Sequence, residues 1–296
     1  MSAPECPFPG LDTLWIQVAG LLCNLRCAHC FNASGPGERG MAPLSREEVR
    51  ALLDEAETLG VRDVVFTGGE PFLLPEMADI AADALRRFPV TILTNGTLLD
   101  RRTVDRLAEA AGESRFSLEV RVSLDAPEEK ENDAIRGKGC FAKAIAGAAR
   151  LEAAGIPPIV TAVRLRDDGA LPGREELAAF EEAMRAAGIR RPRVKFLPVF
   201  RIGREEERGG GYAATDRVTE ELAVLLEAER LLCATARTAT SLGVWPCPIL
   251  VNEAGARMGD GLRSSFRPFP LSHAACSTCL RHGAVCANFA PPPGEG

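Results

Sequence analysis

The sequence predicts an α/β protein: an open six-unit βα barrel followed by a small cysteine-bearing module. Three observations carry that expectation. Six short apolar strands alternate with five amphipathic helices between residues 11 and 200, the pattern of right-handed βαβ units on a parallel sheet. Three thiols, Cys23, Cys27 and Cys30, occupy the loop after the first strand at C-x3-C-x2-C spacing. After about residue 200 the alternation stops and a second group of cysteines begins. The domains expected are therefore 11–200 and 201–296.

Taken in order, residues 1–10 carry Pro4, Pro7 and Pro9 and read as an unstructured arm. Residues 11–19 alternate (Leu14, Ile16, Val18) and form the first strand, which runs into the cysteine loop. A Gly/Pro-rich loop follows at 32–43. Ser45 and Glu48 make a capping box for a helix with Val49, Leu52, Leu53, Ala56 and Leu59 on one face, closed by Gly60. Strands are then expected at 61–66, 90–93, 116–124, 158–165 and 194–199, and helices at 75–88, 100–111, 141–154 and 175–187. Six units are too few for an eightfold barrel, so the barrel is open, with its chemistry at the C-terminal ends of the strands. Beyond it, 201–211 reads as a charged Gly-rich loop, 216–240 as one long helix, and 244–258 as a hairpin turning at 252–255. The tail carries little regular structure.

Composition narrows the function. No apolar run approaches the roughly 20 residues needed to span a bilayer, and no basic region followed by an apolar core opens the chain. A cytoplasmic location without a membrane partner is expected. The net charge of −6 argues against nucleic acid and suits a cationic substrate. Ten cysteines in a chain of 296 residues with no signal peptide, clustered at ligand spacings, point to iron–sulfur or zinc and away from disulfides.

Three thiols in eight residues can bind three irons of a [4Fe–4S] cluster and leave the fourth open; the other reading is a partial zinc site with His29 as fourth ligand. The second predicted strand ends in Thr67-Gly68-Gly69-Glu70-Pro71. Its glycines permit close backbone approach to a ligand, and Glu70 offers an acceptor for an ammonium group. By itself a Gly-Gly pair is a strand-end turn.

Together these residues resemble the radical S-adenosylmethionine (SAM) superfamily across residues 12–200. The resemblance implies that Cys23, Cys27 and Cys30 bind a [4Fe–4S] cluster whose open iron takes SAM. It implies that Thr67, Gly68, Gly69 and Glu70 line the SAM site and that His29 stacks near the adenine. Ser123-Leu124-Asp125 resembles the family's fourth-strand contact, with Ser123 its polar partner. Ile135-Arg136-Gly137 resembles a stretch of the subgroup with extra clusters. Arg136 either pairs with the SAM carboxylate or makes a surface ion pair. Thr94-Asn95-Gly96 either lines the pocket or simply turns.

Cys276-x2-Cys279-x6-Cys286 is a second ligand-like set, for which zinc is the alternative. The resemblance implies one auxiliary [4Fe–4S] cluster, as in SPASM and twitch modules. Its fourth ligand is Cys233 or Cys247. The place five residues after Gly255, where those modules carry a cysteine, holds Asp260. Cys233 also stands at helical spacing with Leu225, Leu226 and Leu232, as a small core residue would. Cys247, presented between Pro246 and Pro248 after Trp245, suits a hydrogen-atom donor as well as a ligand. The donor role is preferred, which leaves Cys233 as the ligand. Cys6 and Cys140 read as inert. Glu205, Glu206 and Glu207 read as a solvated loop, or as a lid over a cationic substrate.

The chemistry implied is reductive cleavage of SAM to a 5′-deoxyadenosyl radical, fed by an external donor of flavodoxin or ferredoxin type, and hydrogen abstraction from an unactivated carbon. Hydrogen return from Cys247 would make an epimerase. Size, one auxiliary set, a spare thiol and acidic balance resemble the aminoglycoside (neomycin C-type) epimerases of antibiotic pathways. The arm before residue 11 is too short for a leader-binding domain, which favours a small-molecule substrate. The alternatives are a dehydrogenase of an aminocyclitol or sugar alcohol, a peptide maturase, and a non-catalytic zinc or iron–sulfur scaffold.

Overall fold

The computed structural model describes residues 3–165, 173–225, 227 and 230–282. The expected alternation is present. Strands β1 (Glu5–Cys6) and β2 (Thr13–Gln17) precede helix α1 (Arg46–Thr58). Then come β3 (Asp63–Thr67), α2 (Met77–Leu85), β4 (Val90–Thr94), α3 (Arg101–Glu113) and β5 (Leu118–Ser123). Helices α4 (Glu129–Arg136) and α5 (Cys140–Ala153) lead to β6 (Ile159–Arg164), α6 (Arg174–Ala186) and β7 (Val194–Pro198). The capping box on α1 forms: Glu48 N–H donates to Ser45 Oγ, and Ser45 N–H to the Glu48 carboxylate.

Strands β2 to β7 pair in parallel in chain order. Their apolar side chains (Leu14, Ile16, Val64, Phe66, Ile92, Val120, Val122, Val160) pack under the inner faces of α1, α2, α3, α5 and α6 as one core. Burial of this order, at about 25 cal/mol per Å² of apolar surface, is the main force holding the sheet to its helices. No helix among the described residues is long and apolar enough to cross a membrane.

Several segments differ from expectation. Helix α4 was not expected because its buried face is polar: Asn132 and Arg136 point inward, and apolar periodicity finds nothing. The expected loop at 201–211 contains α7 (Arg204–Gly209). The long helix expected at 216–240 is instead α8 (Glu220–Leu225), α9 (Leu232–Thr235) and a strand, β8 (Ala236–Thr240). Thr238 and Thr240 are β-branched, and β8 pairs in parallel with the free edge of β2. Tertiary pairing overrides propensity there. The hairpin is therefore β8 with β9 (Gly243–Trp245), earlier than the one expected at 244–258. Trp245 Nε1–H donates to Thr240 Oγ1 at 3.1 Å across it. This completes an eight-stranded sheet among the described residues.

The N-terminal arm is ordered. β1 pairs antiparallel with β10 (Phe269–Pro270), so the chain start straps the C-terminal module. Helix α10 (Ala275–His282) follows and carries Cys276 and Cys279. Arg237, fully buried on β8, ties these parts together. Its guanidinium donates to the carbonyls of Cys233, Ala236, Ser265 and Arg267 at 2.7–3.0 Å and lies 3.5 Å from the centre of the Phe8 ring. Burial pulls its pKa down to about 10, which leaves it charged at neutral pH.

Arg237→Gln strands several buried carbonyls. It is expected to lower the unfolding free energy by about 3 kcal/mol, read as a fall in denaturant midpoint. Arg237→Lys should recover only part, since an ammonium cannot reach four carbonyls at once.

Candidate functional site

The C-terminal ends of β2 to β7 open into one cavity, about 1210 Å³ counted out to its open mouth. Cys23, Cys27 and Cys30 line it, together with Thr67, Gly68 and Gly69 after β3, Ser123 after β5, and His29 and Arg136. All three loop thiols and six of the expected cofactor contacts thus share one wall or another of a single space.

The loop itself has almost no regular structure, so its shape comes from what it packs against. Gly69 N–H donates to Gly20 O and Glu70 N–H to Leu22 O, both at 2.9 Å. A Cβ on Gly69 would lie 2.1 Å from Leu22 O, so only glycine lets the end of β3 meet the loop. Within the described chain, then, this glycine serves the loop.

Glu70 lies apart from the other expected contacts. It is fully buried and is not part of the cavity wall. One carboxylate oxygen accepts from Thr94 Oγ1 at 2.7 Å and Phe72 N at 3.1 Å, and the other from Asn95 N at 2.7 Å. Through these bonds Glu70 joins the end of β3 to the end of β4. Burial pushes its carboxyl up, against the three hydrogen bonds, which pull it down. Asn95, so placed, donates to Asn24 Oδ1 at 2.8 Å and lies 3.9 Å from Cys23 Sγ.

His29 and Arg136 meet behind the wall. His29 Nε2 and Arg136 Nε each lie 2.7 Å from the same oxygen of Asp125, whose side chain is fully buried. Burial by itself would raise the Asp125 carboxyl, but the Arg136 guanidinium and the His29 imidazole hold it well below the usual carboxylate range. Val163 N–H adds a hydrogen bond at 3.0 Å. Arg136 is 8% exposed, so the surface ion pair is not what forms. His29 is held by Asp125 and lines the cavity. Asp125 is the residue sequence reasoning missed, although it closes the Ser-Leu-Asp stretch. A carboxylate after a strand end gives no signal without knowing which cations fold onto it.

The residues fit a bound group. Trp15 Nε1, His29 Nδ1, Asn32 Oδ1 and Ser34 Oγ are buried on the cavity wall with no hydrogen-bond partner, a state that buried polar groups rarely keep. Burial, reinforced by the neighbouring thiols and, for Cys23, by Glu70, pushes the Cys23 thiol up to about 12. Burial likewise pushes Cys27 up to about 11, although Arg136 opposes it. Binding iron must expel those protons.

A second, apolar cavity lies in the C-terminal module. Four thiols line it: Cys233 from α9, Cys247 after β9, and Cys276 and Cys279 from α10. Burial, with Cys247 and Cys233 close by, raises Cys276 well above an ordinary thiol. Among the described residues no three such side chains converge tightly enough for a single ion. Cys247, expected as a hydrogen donor to the first cavity, turns its side chain to this second one; its neighbours Pro248 and Ile249 line the first. Cys233 and Cys247 stand just before and just after the β8–β9 hairpin, a bracket hidden by the misplaced hairpin. Cys286 lies outside the described residues. Glu205 is buried and paired with Arg208 at 2.7 Å, while Glu206 and Glu207 are exposed.

Residues 19–165 match the model of the Radical SAM superfamily. The chain is 34% identical to the mycofactocin maturase MftC of Mycobacterium ulcerans over 134 residues, 45% of this chain and 34% of that protein. It is 36% identical to the AdoMet-dependent heme synthase of Methanosarcina barkeri over 147 residues, 48% of this chain and 39% of that protein. The match thus spans little more than a third of these relatives. The fold is shared with the crystal structure of Streptococcus suis SuiB bound to S-adenosylmethionine (TM-score 0.63, 17% identity, 88% of this chain and 67% of that one).

Two outcomes are expected. Asp125→Asn leaves the buried Arg136 guanidinium without its counter-charge and should cost about 3–5 kcal/mol in a denaturant titration; Ser123→Ala on the same strand end should cost under about 1 kcal/mol. In the metal-free chain, Cys23 and Cys27 bind protons more tightly folded than unfolded. Stability should therefore be intact below about pH 9 and fall as pH rises from there toward 12. The Cys23→Ala, Cys27→Ala double variant should flatten that fall.

Proposed function

We propose that this chain, whose residues 19–165 belong to the Radical SAM superfamily, is a radical SAM enzyme that oxidises its substrate. Cys23, Cys27 and Cys30 would hold the SAM-binding [4Fe–4S] cluster, and Cys233, Cys247, Cys276 and Cys279 an auxiliary one. When bound, the first cluster and SAM would supply a carbon-centred radical that removes a hydrogen atom, and the second an acceptor for one further electron. An external flavodoxin- or ferredoxin-type protein would supply the reducing electron.

The observation that carries this reading is the side on which Cys247 faces. Its thiol lines the four-thiol cavity, and Ile249 lines both that cavity and the first. A substrate at the barrel mouth would meet the wall of the auxiliary site, with Pro248 and Ile249 between it and the Cys247 thiol. That favours oxidation, as in the dehydrogenase and maturase alternatives, over hydrogen return by Cys247 in an epimerase. The rest of the chain's work is positional: Asp125 orients Arg136 and His29, Glu70 joins the strand ends, and the apolar wall of Trp15, Leu93, Leu197 and Phe200 limits water.

The substrate we infer carries a carboxylate, as a peptide does. Among the described lining residues the first cavity has two arginines, Arg136 and Arg204, and no carboxylate. A polycationic aminoglycoside finds no counter-charge there, and a relative named a maturase agrees with the peptide.

After anaerobic reconstitution the chain should hold about eight irons and eight sulfides, two [4Fe–4S] clusters, and release 5′-deoxyadenosine on reduction with SAM. Cys247→Ala should lose about half the iron. Retention of all the iron, or a product made in heavy water with unchanged hydrogen count and one deuterium at an inverted carbon, would favour the epimerase and sink the oxidative reading.

A further inference from the structure

Arg204, at the start of α7, lies 174 residues beyond the last loop thiol, yet it is 8% exposed and lines the same cavity as the three thiols. Three donors run from it into the loop. Its backbone N–H donates to Cys30 O at 3.1 Å, its Nε–H to Cys27 O at 2.9 Å, and its Nη2 to Ser34 O. The residue before it makes this approach possible. Gly203 has φ +60°, and a Cβ there would lie 2.3 Å from Phe31 O. The segment after β7 thus presses directly on the backbone of residues 27–34. Among the described residues no carboxylate pairs with Arg204, in contrast to Arg136, whose charge Asp125 balances.

We propose that Arg204 is the positioning residue that holds the three-thiol loop from the far end of the sheet, and that its uncompensated charge offsets the negative charge gathered by the three thiolates. The second half rests on the reading that those thiolates hold an iron–sulfur cluster; the first half does not. The physical argument has two parts. Charged donors to carbonyls are worth more than neutral ones, and a planar guanidinium can reach two carbonyls on separate turns of the loop. A buried cation beside a cluster that gains an electron favours the reduced state.

The metal-free chain tests the clamp. Hydrogen exchange at the amides of residues 23–35 should quicken by an order of magnitude or more in Arg204→Gln, and less in Arg204→Lys. Gly203→Ala, which pushes the same junction apart without touching the charge, should also quicken it. Glu207→Gln, on the exposed face of α7, should not. Unchanged exchange in both Arg204→Gln and Gly203→Ala overturns the clamp, and Gly203→Ala decides it if the glutamine variant does not fold.

The reconstituted chain tests the charge. Redox titration of the SAM-responsive cluster signal should place Arg204→Gln at a lower potential than the parent, with Arg204→Lys close to the parent. Equal shifts in the glutamine and lysine variants, or none, overturn the charge role. A parent chain that takes up no iron and sulfide would instead remove the cluster reading, and the exchange result would still stand.

Discussion

A loop that presents three thiols to one cavity has no ladder or helix of its own to hold it. That constraint organises the rest of the molecule. The loop from Cys23 to Gly35 is fixed from three sides by buried polar groups. Glu70 and the Gly68–Gly69 strand end hold its beginning through Leu22 and Asn95. Asp125 holds its middle through His29, and α4 adds a backbone bond from Ala28 N–H to Ile135 O at 2.8 Å. Arg204 holds its end. A buried polar group without a partner costs on the order of 1–3 kcal/mol, so each contact is also a penalty against any other loop shape.

Charge follows the same plan. Acidic side chains near the cavity, Glu70 and Asp125, stand behind its wall, each satisfied by neighbours. The cations reach the lining. The Cys23 and Cys27 thiols, forced up by burial, stay protonated at neutral pH in the metal-free cavity. Deprotonation by iron would then bring negative charge into a space already provided with arginine.

The C-terminal module reuses the barrel's sheet. β8 joins β2 on the edge away from β3, and this brings Cys233 and Cys247 to the ends of a hairpin whose neighbour, α10, carries Cys276 and Cys279. The N-terminal strand crosses over the module through β10, and Arg237 binds strand, arm and tail at once. Two cavities with thiols in their walls therefore share Ile249, and a thiol read from its flanking prolines as an exposed donor belongs to the second of them.

The residues by themselves determined a parallel βα core, because apolar alternation and caps such as Ser45 with Glu48 act locally. They also determined the three-thiol loop, since spacing alone puts Cys23, Cys27 and Cys30 within eight residues. What only the tertiary structure decided involves partners distant in sequence. Asp125 meets His29, 96 residues behind it, and Arg136, 11 ahead. Arg204 reaches back to Cys27. β8 becomes a strand because β2 has an open edge, against the helical leaning of its own alanines. The inward face of α4 is polar, so no hydrophobic period announces it. Periodicity records which residues leave water, whereas these contacts depend on which buried charge meets which. That is set only when separate strand ends arrive at one cavity.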